Sequence, residues 1–426
     1  MTKNKFNFEY GLIGNPLEQS YSPTLHKIFG QYDYQLCPLE SSELDAFFEA
    51  SQFNATNVTI PYKEAVIPYL DDIDPLAKTI QAVNTIVNMD GKLMGYNTDI
   101  LGMKALLEKN QISLLNKNIL ILGTGGTAKT AKTLCQELKS RNIYLVSRKK
   151  TDDTITYQQA QQIDDIEIII NTTPLGMYGE TLDQTPISLE SFKKLEAVVD
   201  VIYNPLKTRF ILEAESKGIK TCNGLYMLIM QAYYASQLFL YHEIIADQIS
   251  LKLADQVYQQ LLSEKANIVL IGMPSSGKTT IAKLLANITK RPLIDTDMLI
   301  EEREHLHPAE IIRQKGEAYF RQIEQEIISD IAYHSGQIIA TGGGSILATK
   351  NQAALKANSK IYFLDRPLDE LKPSASRPLS STFSALEKTY QARYPIYKEL
   401  ADEIIVIDKS ASEIASKIKE VHYNDN

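Results

Sequence analysis

Two glycine-rich turns in this chain stand between a run of β-branched residues and a helical pattern, the setting in which backbone amides can be brought onto phosphate. Gly272-Met273-Pro274-Ser275-Ser276-Gly277-Lys278-Thr279 satisfies Gly-x4-Gly-Lys-[Ser/Thr], follows NIVLI and opens TTIAKLLANIT. In such a loop the amides around Ser275, Ser276, Gly277, Lys278, Thr279 and Thr280 cradle the phosphates of ATP, Lys278 reaches the β and γ groups, and the Thr279 hydroxyl serves Mg2+. The other turn is Gly123-Thr124-Gly125-Gly126-Thr127-Ala128, after NILIL and before KTAKTLCQEL. Gly123, Gly125, Gly126, Thr127 and Ala128 read as a dinucleotide fingerprint, in which glycines let the backbone approach a pyrophosphate at a helix N-terminus. The following strand, NIYLVS, ends on Ser147, Arg148 and Lys149, where a carboxylate would hold the ribose of NAD. A guanidinium there can pair with a 2′-phosphate, so NADP(H) is favoured; the plainer alternative is a solvated basic turn.

Polar clusters precede the dinucleotide turn: Ser20-Tyr21-Ser22-Pro23, NVTIPYK (57–63), AVNT (82–85) and GYNTD (95–99). Taken singly, Lys63 is a surface lysine and Asp99 a helix cap before LGMKALLEK. Together they offer the pair that reduction of a ketone needs, a proton donor for the oxygen on which charge develops and a carboxylate to steer it. After the ATP loop come LIDTD (Asp295, Asp297), YFRQIE (Arg321, Glu324), TGGGS (Gly342, Gly343, Gly344), SRPL (Arg377) and ARYPIY (Arg393). Asp295 and Asp297 alternate along a strand end, so both can face one side of a cleft. Arg321 and Glu324 are three apart on a helical stretch, close enough for the glutamate to aim a guanidinium. Alone, such a pair is usually solvated. Arg377 lies in a Pro- and Ser-rich stretch read as a lid that closes over the transferred phosphoryl group.

The elements that must hold these residues are short apolar runs alternating with helices: NILILG, NIYLVS, IEIIIN and AVVDVIY, then NIVLIG, IIATGG and KIYFLD. That rhythm predicts α/β architecture with parallel sheets. Restart of the pattern at Asn267 marks a domain boundary. The expected arrangement is residues 1–100 as a substrate domain completed by helices at about 225–262, 101–224 as a dinucleotide domain and 267–426 as a P-loop domain. The apolar stretch 225–241 is broken by Gln231, Ser236 and Gln237 and predicts a buried helix, not a membrane span. A net charge of −8 over 426 residues disfavours nucleic acid as a partner. Cys37, Cys135 and Cys222 have no paired spacing, which excludes a disulfide framework or zinc site and fits the cytoplasm. The N-terminus shows no signal-peptide pattern.

In order and spacing, the clusters over about residues 7 to 262 resemble the shikimate dehydrogenase family. The resemblance includes the dinucleotide turn, NTTPLGM (171–177), DVIYNPLKT (200–208) and Gly224-x-x-Met227-x-x-x-Gln231. It implies a Rossmann NADP domain behind an α/β substrate domain. Ser20 and Ser22 would hold the substrate carboxylate, Asn57, Thr59, Asn84 and Gln231 would read ring hydroxyls, Tyr203 would lie near nicotinamide and substrate, and Lys63 and Asp99 would be the catalytic pair. Ser147 and Lys149 depart from the family pattern. Residues 267 to about 420 resemble shikimate kinase, a P-loop fold with a parallel sheet. That resemblance implies catalytic Lys278 and Arg377, Mg2+ at Thr279 and Asp295, and substrate held by Asp297, Arg321, Gly342, Gly343, Gly344 and Arg393. Lys372-Pro373 stands where kinases often carry an adenine-packing arginine.

The two families act on consecutive metabolites, reducing 3-dehydroshikimate to shikimate and then phosphorylating its 3-hydroxyl. The expectation is a bifunctional cytoplasmic enzyme of aromatic amino-acid biosynthesis that takes only small molecules as partners. Quinate as a second substrate, and one half being a degenerate regulatory module, remain open at this point, as does oligomeric state.

Overall fold

The computed structural model describes residues 6–17, 20–245, 248–371 and 382–424. It contains three sheets. The first comprises β1 (Tyr10–Gly14), β2 (Gln35–Pro38), β3 (Ala55–Val58), β4 (Asp72–Ile73), β5 (Thr85–Met89) and β6 (Lys92–Tyr96), in the order β2-β1-β3-β5-β6-β4. The runs that carry the expectation of parallel sheets lie in the other two sheets; in this one β5 runs antiparallel to both β3 and β6. Between β5 and β6 the cause is local: Asp90 and Gly91 both have positive φ, 52° and 90°, the geometry of a two-residue hairpin whose twist matches the strands it joins. Register places Asn57 opposite Thr85. Helices Asp99–Lys109 and Leu225–Tyr241 pack closely on each other. Gly102 permits this, since a Cβ there would stand 2.6 Å from the Met227 carbonyl oxygen. Leu225–Tyr241 is mostly buried, and among the described residues no helix is long and apolar enough to cross a membrane.

The second sheet comprises β7 (Asn118–Leu122), β8 (Asn142–Ser147), β9 (Ile155–Thr156), β10 (Ile168–Asn171), β11 (Ala197–Asp200) and β12 (Lys220–Cys222). All its strands are parallel, in the order β12-β11-β10-β7-β8-β9. Strand order reverses between β7 and β10, which opens the crevice where doubly wound sheets bind dinucleotides. The glycine turn leaves the end of β7, at that crevice.

The third sheet comprises β13 (Asn267–Ile271), β14 (Leu293–Asp295), β15 (Ile338–Ala340), β16 (Ser359–Asp365) and β17 (Glu403–Val406), all parallel, in the order β14-β15-β13-β16-β17. β13 is buried along its whole length. Ile268 and Leu270 join Ile281, Leu285 and Ile414 on one face, while Val269 and Ile271 join Ile328, Leu355 and Tyr397 on the other. That alternation is the two-residue period of a strand covered by helices on both sides.

The chain forms two compact units: Met1–Gly176 with Gln184–Tyr203 and Glu213–Tyr258, and Gln259–Asn426 with Met177–Asp183 and Asn204–Leu212. The division falls within helix Gln248–Lys265, ahead of β13. Arg291 supplies the reason. Its guanidinium donates to the carbonyls of Ser263, Glu264 and Ala266, capping the end of that helix as a member of the second unit.

Candidate active sites

In the first unit a cavity of about 300 Å3 is lined by Ser20, Ser22, Asn57, Thr59, Asn84, Tyr203 and Gln231, together with Lys63 and Asp99. Every substrate-facing residue expected of this half is therefore gathered at one place. Lys63 Nζ lies 2.7 Å from Asp99 Oδ2, with both side chains largely buried. Asp99 is not a cap. It is the first residue of its helix, after an N-cap Thr98 that makes no side-chain cap bond, so its carboxylate is free to hold the lysine. Thr98 does other work: its N–H donates to Asn84 Oδ1 at 2.7 Å and its hydroxyl accepts from Asn84 Nδ2 at 3.0 Å. This reciprocal pair fixes the turn from β6 into the helix and so the position of Asp99. Gln231 is seated from below by the Gly102 contact, and Gly224 brings its helix against Val201, whose carbonyl oxygen would be 1.9 Å from an added Cβ. Tyr203 lines the cavity and also packs edge-on against Tyr21.

Thr127 of the dinucleotide turn borders the same cavity. Gly123 has φ +110°, and Gly125 caps helix Gly126–Glu137 with open space where a Cβ would be. Ala128 is buried inside the helix. Ser147 ends β8, Arg148 and Lys149 are exposed just beyond it, and the Gly123 N–H bonds Val146 O. The basic cluster therefore stands beside the glycine turn, where a 2′-phosphate fits the donors present.

The second unit holds a cavity of about 600 Å3, lined by Ser275, Gly277, Lys278, Thr279 and Thr280 of the loop, by Asp295 and Asp297, and by Arg321, Gly342, Gly343, Gly344 and Arg393. Ser276 is fully buried beneath the loop. Lys278 Nζ donates to the carbonyls of Gly272 and Met273, each at 2.9 Å. Thr279 Oγ1 is 2.8 Å from Asp295 Oδ2. The strand reading of the two aspartates is corrected: β14 stops at Asp295, whose Oδ1 accepts from the Asp297 N–H and caps helix Thr296–Glu304. Capping competes successfully with strand continuation, and Asp297 reaches the cavity from the first helical turn. Arg377 and Lys372-Pro373 lie outside the described residues.

Arg321 Nη1 meets Glu324 Oε2 at 2.7 Å, and Glu324, almost wholly buried, accepts from Ser345 Oγ through its other oxygen at 2.6 Å. Held at both oxygens, the glutamate aims the guanidinium rather than floating beside it. A Cβ at Gly344 would crowd the Arg321 guanidinium that Glu324 holds in place. Arg393 Nη1 and the Tyr397 hydroxyl both donate to Gly343 O. Ser345, Tyr397 and Thr296, whose hydroxyl accepts from the Gly342 N–H, escaped the sequence reading. Their only signal is position next to residues already singled out.

Comparison with known proteins agrees with both halves. Profiles described as shikimate dehydrogenase substrate binding domain and shikimate kinase match residues 12–86 and 274–422. A shikimate dehydrogenase (NADP(+)) of Clostridium beijerinckii is 39% identical over 248 residues, covering 54% of this chain and 91% of that protein. The solved shikimate dehydrogenase 1 of Peptoclostridium difficile is 34% identical, with a TM-score of 0.54 over 59% of this chain and 98% of its own. The Thermus thermophilus enzyme, solved with NADP(H) and shikimate, is 27% identical, with a TM-score of 0.52 over 58% of this chain and 99% of its own. The chain thus belongs to the shikimate dehydrogenase family through its first half and carries, joined after it, a shikimate kinase domain.

Proposed function

We propose that the protein reduces 3-dehydroshikimate to shikimate with NADPH and phosphorylates the 3-hydroxyl of shikimate with ATP. The observation that carries this reading is the gathering of each residue set into a separate cavity beside its own phosphate loop. On this reading residues 1–100 with the helices at about 225–262 form the substrate domain, 101–224 the NADP domain and 267–426 the kinase domain.

In the first cavity NADPH, when bound, supplies the hydride. The protein's own part is to orient the ketone and to deliver a proton. Lys63 donates to the oxygen that gains charge, and Asp99 keeps the ammonium aimed and compensates the cation in a largely buried setting. Ser20 and Ser22 hold the carboxylate, while Asn57, Thr59, Asn84 and Gln231 fix the hydroxyls. Tyr203 closes the side near the nicotinamide.

In the second cavity Mg2+ suits the hard oxygens of Thr279 and Asp295, and when bound it offsets phosphate charge. Lys278 leaves its carbonyl partners for the β and γ phosphates. Arg321 and Arg393 grip the shikimate carboxylate, the glycines at 342–344 let the backbone approach the acid, and Asp297 aligns the accepting hydroxyl. Arg377 would stabilise the transferred group. We place the enzyme in the cytoplasm, where its thiols stay reduced and both nucleotides are available.

Supplying the purified chain with 3-dehydroshikimate, NADPH and Mg2+-ATP tests the reading. NADPH loss and shikimate 3-phosphate formation, followed separately, should both occur. Absence of either from folded protein rejects the corresponding half.

A further inference from the structure

Behind the dehydrogenase cavity stands a group that the reaction has not yet used. Tyr34 does not line the cavity, but its hydroxyl donates to Asn57 Oδ1 at 2.8 Å. Its ring stacks on the buried imidazole of His26, with centroids 4.1 Å apart and planes 14° from parallel. Burial pushes the tyrosine hydroxyl well above its ordinary range, the Tyr32 hydroxyl adds to this, and Ser22 opposes it. The phenol therefore stays a donor. Burial also holds His26 neutral, its pKa pushed down to about 3 against the pull of the Asn57 side chain. Neither partner changes charge in the working pH range.

A primary amide has two hydrogens to give and two lone pairs to fill. Asn57 Nδ2 gives one hydrogen to Asn84 O at 3.1 Å and the other to Thr85 Oγ1 at 3.0 Å. Tyr34 takes one lone pair on Oδ1. Among the described residues no second hydrogen bond reaches that oxygen, the buried His26 Nε2 being without a partner, so one lone pair remains, on a residue that lines the cavity. We infer that Tyr34 is a positioning residue for the dehydrogenase, locking the Asn57 amide so that it meets shikimate as a hydrogen-bond acceptor for one ring hydroxyl. This rests on the proposed dehydrogenase function. Asn84 is the complement: its Oδ1 accepts from the Thr98 N–H and the Thr85 hydroxyl, and its Nδ2 spends one hydrogen on Thr98. It offers the site a donor. The two amides thus present opposite polarity to neighbouring positions of the ring; Tyr34, Thr85 and the Asn84 backbone set one, and Thr85 and Thr98 set the other.

A double-mutant cycle tests this in the full chain, with shikimate and NADP affinities measured by titration. Tyr34→Phe keeps the ring on His26 and removes only the donor. It should weaken shikimate binding about ten-fold, the worth of one well-placed hydrogen bond, and leave NADP binding within about two-fold. In an Asn57→Ala background the same change should cost less than about two-fold, because the group it positions is gone. Tyr32→Phe, which releases only His26 Nδ1, serves as the control and should leave shikimate affinity within about two-fold. Equal losses with and without Asn57, or no loss in Tyr34→Phe, overturn the inference. Unchanged protein that binds NADP but ignores shikimate overturns the proposed function itself, and the positioning role with it.

Discussion

At the scale of single residues, each cavity is organised around a cation held by a group that cannot easily let it wander. Lys63 is held by Asp99 and Arg321 by Glu324, itself pinned by Ser345. Desolvation offsets much of the attraction within a buried ion pair, so the value of these pairs lies in direction. Lys63→Ala should lower dehydrogenase turnover by about 10² to 10⁴-fold, the range for a lost general acid, with shikimate affinity much less affected. Kinase turnover should be unchanged, and Lys278→Ala should show the reverse. Steady-state assays of both half-reactions on each variant check this; joint loss would indicate a shared site or misfolding. The residues proposed to meet ligand directly were legible in the sequence, since motif spacing and residue type both point at them. Tyr34, Thr98 and Ser345 were not. They act through another side chain, brought near only by the fold; Thr98 and Ser345 are marked by nothing beyond standing next to Asp99 and Gly344, and Tyr34 by nothing at all.

At the scale of elements, glycine does two separable jobs that look alike in a sequence. Gly102 and Gly224 admit protein, because a Cβ at either would strike a backbone carbonyl of the neighbouring segment. Gly125 admits something else: a Cβ there meets nothing within 4 Å, and its φ of −76° suits any residue. Gly102→Ala should therefore cost the first unit about 1–3 kcal/mol through forced separation of two packed helices, and should weaken shikimate binding as Gln231 shifts. Gly125→Ala should leave thermal stability within about 0.5 kcal/mol yet weaken NADP binding at least about ten-fold, since the added methyl occupies the approach to the pyrophosphate. Calorimetry with NADP and shikimate titrations separates the cases; a destabilised Gly125→Ala with intact NADP affinity would contradict the assignment. The parallel strands of the second and third sheets were readable because continuous apolar runs announce strands covered on both faces. The first sheet was harder. Its strands mix polar residues with apolar ones, and the reversal that makes β5 and β6 antiparallel is marked by a single dipeptide, Asp90-Gly91.

At the scale of the molecule, the restart at Asn267 was visible as a new strand and loop, whereas the compact division at Tyr258 and Gln259 was not. A boundary inside a helix depends on what its last turn packs against, here Arg291 and the C-terminal helix Ala411–Asn424. His422 of that helix is buried, its Nε2 near Ser263 O at 2.9 Å and its Nδ1 near the Tyr362 hydroxyl at 3.0 Å. Burial lowers its pKa from 6.5 to about 4, helped by the Arg291 and Lys360 charges and opposed by the backbone bonds to Ser263 and Ala266. The sign follows from linkage. Between pH 6.5 and about 4 the unfolded chain takes up a proton that the folded one refuses, so the neutral histidine's contribution is intact above 6.5 and is lost as pH falls. At roughly 1.4 kcal/mol per pH unit the loss reaches about 3 kcal/mol near the lower limit. Carboxylates titrate over part of the same range, so the measurement is a difference: unfolding of the second unit followed from pH 7 to pH 5 in the natural chain and in His422→Gln. Glutamine can replace both hydrogen bonds and carries no titrating group. The variant should lose less stability than the natural protein over that interval, by up to about 2 kcal/mol. Parallel curves would mean that His422 accepts its proton in the folded state without cost, and that burial does not hold it neutral.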